Sequence, residues 1–158
     1  MDLKDIMAIA GKPGLYKFVA QGRNAIIVEQ IETGKRTSAF SHERINSLEE
    51  ITVFTDDKDM PLKDVFKALY EKEDGKESIS PKSDNNTLKE YFGEVVPDYD
   101  RERVYVSDIK KILTWYNILQ KADMLSFEEE EEEKKEETEA PKEEAPAKDK
   151  KEEKKPEE

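Results

Sequence analysis

The sequence has no cysteine, a single histidine and no long apolar run, and each shortage removes a class of function. Without thiols there is no disulfide framework, no thiolate metal site and no thiol redox chemistry, which suits a reducing compartment. His42 stands alone in the polar stretch SHER, so there is no histidine pair for zinc, and it reads as a solvent-exposed loop histidine rather than as the base of a nucleophile. No stretch reaches the roughly 18–20 apolar residues of a membrane span. The opening MDLKDIMAIAGKPG carries acids where a secretory signal needs basic residues, and its apolar run is too short for the signal's core. The expectation is a soluble cytoplasmic protein with no metal and no cofactor.

What the chain has in abundance is charge. Of its 158 residues 42% are charged, the net charge is -12 and the mean hydropathy is -0.95. The excess is concentrated at one end. Residues 128–158 hold 16 acids against 8 lysines, a net of -8, with no aromatic residue. Such a composition cannot bury enough apolar surface to offset the entropy of ordering, so this tail is expected to be disordered. It reads as a solubilising bristle more readily than as a nucleic-acid mimic, because its lysines dilute the negative charge.

Before the tail, hydrophobic periodicity predicts an α+β chain. Leu3, Ile6, Met7 and Ala10 fall at helical spacing, with Asp2 as N-cap and Gly11 as stop, which predicts a short N-terminal helix. GLYKFVAQ, AIIVEQIE and RTSAF follow as strands joined by the turns QGRN and TGK, an antiparallel meander. SHERINSLEE reads as an irregular or one-turn connection to a fourth strand, ITVFT. Short strands with a one-turn helix before the last predict a small SH3-like sheet or barrel over residues 1–58.

Residues 59–127 read as a helical subdomain. In PLKDVFKALYEK, Leu62, Val65, Phe66, Leu69 and Tyr70 form an i, i+3, i+4, i+7, i+8 stripe behind Pro61 in the first turn. A Gly-, Ser- and Pro-rich linker occupies positions near 73–86. Thr87 and Glu90 then form a capping box for a helix with Leu88, Tyr91 and Phe92 that ends near Gly93. Ser107 caps a last helix whose apolar arc, Ile109 to Ala122, exceeds half the circumference and leaves Lys110, Thr114, Asn117 and Lys121 as its wet strip. So wide an arc implies burial from more than one side.

Motifs for chemistry fail on their details. Counted as calcium loops from Asp56 or Asp98, the sixth position is Pro61 or Arg103 instead of glycine, and the twelfth is Lys67 or Ile109 instead of glutamate. TGKR lacks the glycine five residues before Gly34, has Arg36 where a phosphate loop needs Ser or Thr, and leads into a strand. The chain is therefore expected to be no enzyme.

The candidate binding surface is Tyr16, Phe18, Arg23, Lys35, Arg36 and Phe40, aromatic and basic residues on one small sheet. Two facts weaken it as an RNA site. Residues 1–50 hold seven basic against seven acidic residues, so no net positive field draws in phosphate. Arg23 and the Lys35–Arg36 pair also lie at opposite ends of a strand of about eight residues, roughly 26 Å apart at about 3.3 Å per residue. They read as two separate solvated turns, and the aromatics as residues needed inside.

DLKDIMAIAGKPGLYKFVAQGRN, the strand from Leu48 to Thr55 and MPLKDVFKALYEK together resemble a family of Bacteroidota proteins with an N-terminal domain of unknown function, a small helical domain and a charged tail. The resemblance covers residues 1–126 and implies a two-part architecture in a bacterial cytosol; it carries no functional residues. The expected function is a non-enzymatic interaction or adaptor module with a protein partner. A regulatory RNA- or ribosome-associated role is the alternative.

Overall fold

The computed structural model describes residues 3–127, and the expected disorder of the acidic tail lies outside them. An antiparallel sheet is built from β1 (Ile6–Ile9), β2 (Tyr16–Gln21), β3 (Ala25–Gln30), β4 (Arg36–Phe40) and β5 (Ile45–Ser47), in the order β4-β3-β2-β1-β5. A one-turn 3-10 helix, Leu48–Glu50, leads to β6 (Thr52–Val53), which pairs with β7 (Met60–Pro61). The helices are α1 (Leu62–Lys72), α2 (Asn85–Val95) and α3 (Val106–Lys121).

The expected N-terminal helix is replaced by β1, and the reason is that β1 lies between two strands and is covered on both faces. Ile6 and Ala8 face the main core, whereas Met7 and Ile9 face a second cluster with Tyr16, Val28 and Ala39. A strand apolar on both faces has no polar alternation, and its short run imitates helical spacing. Gly11, read as a helix stop, instead turns the chain out of β1 with a φ of +80° that glycine adopts without strain.

The expected barrel is not closed. β4 and β5 are the two edges of an open sheet, and ITVFT does not join it, because Thr52 and Val53 pair with Pro61 and Met60. The polar connection before it supplies the fifth strand instead, with Ile45, Asn46 and Ser47 pairing with Ile9, Ala8 and Met7. No helix residue belongs to the second cluster, so the sheet must bury Ile9, Tyr16, Val28 and Ala39 by its own curvature. At Val19 the β2–β3 register shifts, a bulge of the kind that bends a strand.

The other sheet face and the helices share one core. It runs from Leu3, Ile6 and Leu15 through Leu62, Phe66 and Leu69 to Phe92, Leu113 and Tyr116, and closes with Leu125 and Phe127. Of the α1 stripe, Leu62, Val65, Phe66 and Leu69 are buried and Tyr70 is half-buried. The cap of α2 is Asp84, whose carboxylate accepts from the Asn86 N–H at 3.0 Å, and not Thr87, which lies inside the helix; α2 also runs past Gly93 to Val95. Ser107 likewise lies inside α3, where the Asp108 carboxylate accepts from the Tyr105 N–H at 3.1 Å.

One residue assigned to the wet strip is buried. Asn117 Oδ1 accepts from both the N–H and the Oγ of Ser78, each at 2.9 Å, and so fastens the 73–84 connection to α3. Beside it the Tyr116 hydroxyl donates to the Lys76 carbonyl at 2.9 Å. Among the described residues no helix is long and apolar enough to cross a membrane.

Two tyrosines make this packing sensitive to alkali. Burial first, then its hydrogen bond to Glu73 at 2.5 Å, pushes the Tyr91 hydroxyl far above its ordinary range. Burial first, then the charge of Glu73, pushes Tyr116 up to about 12. A tyrosine raised on folding contributes stability that is whole below the unfolded value near 10 and is lost as pH rises through the folded value. Melting temperature is therefore expected to hold up to about pH 10 and to fall steadily towards about pH 12. Thermal melts paired with phenolate absorbance check this; a flat profile over that window would show that both hydroxyls ionise freely in the folded state.

Candidate functional site

The residues expected to form a binding surface are dispersed. Tyr16 is buried in the second cluster, its hydroxyl donating to the Pro13 carbonyl at 3.1 Å. Phe18 is half-buried and pairs across the sheet with Val28 of the same cluster. Arg36 pairs with Glu29, Nε to Oε2 at 3.0 Å, and Lys35 precedes it in the turn at that end. Arg23 lies at the opposite end of β3, in the turn closed by the Gly22 N–H on the Ala25 carbonyl. Arg23 and Phe40 share one end, since Phe40 pairs with Ala25, and Lys35 and Arg36 share the other, where Arg36 pairs with Glu29. Phe40 is 47% exposed and stacks on His42 at 5.7 Å. Beside them a shallow, half-polar pocket of about 330 Å³ lies between Gln21–Ile26 and Ala39, Ser41 and Ile45, where the two sheet edges converge.

A more apolar groove lies elsewhere, where β6 passes α3. It has a volume of about 230 Å³ and is walled by Ile51, Val53, Phe54, Val104, Ile112 and Trp115. Thr52, Arg103, Asp108 and Lys111 complete its lining. Phe54 leaves β6 because its carbonyl accepts from the Asp100 N–H at 2.9 Å, and the Asp98 carbonyl accepts from the Asp56 N–H at 2.9 Å. These bonds hold the 98–104 loop beside β6 and leave Phe54 39% exposed. Tyr105, next in sequence to Val104, is 67% exposed.

The polar rim is unevenly committed. Arg103 lies over the Phe54 ring at 4.5 Å and donates from Nε to Asp100 Oδ2 at 2.7 Å. That bond, helped by the Glu102 and Arg103 N–H groups, holds the Asp100 carboxyl below its usual range, and Asp100 in turn raises Arg103, with Asp59 and Asp56 adding to it. The Asp108 carboxylate is engaged by the Tyr105 N–H. Among the described residues no acid pairs with Lys111. Among the described residues no group of three or more His, Cys, Asp or Glu is placed to hold a metal ion.

Sequence reasoning missed the groove because it placed Phe54 in the strand ITVFT of the small sheet and Trp115 in the apolar arc of the last helix. The signal was the arc itself, too wide for one neighbour. Trp115 sits at its edge, half-buried, where the second neighbour is only the two-residue strand β6.

Residues 3–48 match the family model described as Domain of unknown function (DUF5606), and residues 51–119 match Domain of unknown function (DUF6852). A solution NMR structure of a Bacteroides vulgatus protein is 43% identical, covering 80% of this chain and 91% of its own, with a TM-score of 0.68. The chain belongs to this Bacteroidota family of paired domains of unknown function. No curated protein matches it. In family terms the Arg23–Phe40 end lies in the first matched domain, and every residue lining the groove lies in the second.

Proposed function

We propose that the chain is a non-enzymatic interaction module of the bacterial cytoplasm whose docking site is the groove between β6 and α3. The observation that carries this reading is the exposure of Phe54 and half-exposure of Trp115 around a preformed apolar hollow. Aromatic anchors of this kind are enriched where proteins bind proteins. At about 230 Å³ the hollow falls below the roughly 300–1,000 Å³ of small-molecule and cofactor sites, so it suits one or two side chains of a partner.

The RNA- or ribosome-associated reading draws on the Phe40–His42 stack near the Arg23 turn. It is the weaker of the two, because Tyr16 is committed to a core and Arg36 to Glu29. Affinity capture from native lysate, repeated after nuclease treatment, separates them. Protein partners that survive nuclease and are lost on Phe54→Ser are expected; partners recovered only through RNA would favour the second reading.

A further inference from the structure

The charge around the groove narrows the partner's chemistry; the inference rests on the interaction reading above. At one rim Arg103 is hydrogen-bonded to Asp100 and feels Asp59 and Asp56, so on that side acids outnumber the one cation. At the other rim Lys111, exposed and one helical turn before Trp115, has no acidic partner among the described residues. Asp108, which also lines the hollow, is held by the Tyr105 N–H. We propose that the groove takes a protein segment presenting a bulky apolar side chain beside a carboxylate, the side chain entering the hollow lined by Phe54 and Trp115 and the carboxylate meeting the Lys111 ammonium.

The apolar side chain supplies the affinity by leaving water, while an exposed ion pair contributes little energy but fixes orientation and discriminates by sign. A partner segment with a base in place of the acid would bring two cations together and be rejected.

Trp115, the only tryptophan of the chain, lines the hollow and reports on its occupancy. The full-length protein is titrated with a terminally blocked Ala-Glu-Leu-Phe-Ala peptide and with its counterpart carrying Lys in place of Glu. A saturable change in Trp115 fluorescence is expected for the acidic peptide, about fivefold tighter than for the basic one and less so at high salt. Lys111→Glu, an exposed change that should leave folding intact, is expected to reverse the order. Equal binding of both peptides, or an unreversed order in the variant, would remove the acid preference while leaving the groove a docking site. No response to either peptide, with Phe54-dependent capture from lysate intact, would overturn the partner assignment alone. Loss of that capture as well would overturn the docking site itself. A fluorescence change with an oligouridylate and with neither peptide would replace the partner by RNA.

Discussion

Asn117→Ala is expected to lower the unfolding free energy by about 2–3 kcal/mol, although its position on α3 reads as solvent-facing in sequence. The amide oxygen is the acceptor for both donors of Ser78, and both residues are buried. Removing it leaves a buried N–H without a partner, and such a group costs about 1–3 kcal/mol in addition to the lost bond. The Ser78 hydroxyl has a second acceptor in the Ile79 carbonyl at 3.1 Å, so the loss falls mainly on the N–H. Ser78→Ala should therefore cost only about 1 kcal/mol, since the N–H keeps its amide partner. In the double variant the Ser78 change should add almost nothing to Asn117→Ala, because its hydroxyl no longer has that oxygen to lose. Urea unfolding of the three variants checks this; a cost below about 0.5 kcal/mol for Asn117→Ala would mean that water replaces the amide at the site.

That residue shows where the sequence stops being legible. Periodicity reports how many apolar positions share a face, and on α1 that sufficed: Leu62, Val65, Phe66 and Leu69 are all buried. The meander was equally readable, because the turn before β4 carries Gly34 at a φ of +68° and the strands beside it are β-prone. Periodicity cannot report a polar residue buried against a loop some forty positions away, as Asn117 is against Ser78.

The same limit explains β1 and β5. Each is short, and each becomes a strand through a long-range pairing, Ile9 with Ile45 and Met7 with Ser47, that no local window contains. Once β5 takes the edge beside β1, ITVFT has no place in that sheet and pairs with Met60–Pro61 instead. This displacement opens the expected barrel and sets β6 beside α3, where the groove forms. The candidate site was thus hidden by the same rearrangement that corrected the fold.

Phe66→Ala is expected to have the largest effect, about 3–5 kcal/mol, because it removes a fully buried ring from the centre of the main core. The ring packs against Tyr116 at 6.3 Å, so α1 and α3 both lose a neighbour, and neither helix can move in without dislodging the Tyr116 bond to Lys76. Against a total stability of about 5–15 kcal/mol, this brings the protein close to unfolding at ambient temperature. Phe40→Ala, at a ring 47% exposed, should by contrast change stability by less than about 0.5 kcal/mol. The main core takes Leu3, Ile6 and Leu15 from the sheet region as well as the helical residues, so the damage should not stay among the helices. Trp115 fluorescence and far-ultraviolet circular dichroism are expected to shift together in urea for Phe66→Ala, as a single cooperative transition requires. If the fluorescence midpoint fell while part of the dichroism kept its original midpoint, the second cluster of Ile9, Tyr16, Val28 and Ala39 would be sustaining the sheet on its own, and residues 1–58 would be a separately folding domain.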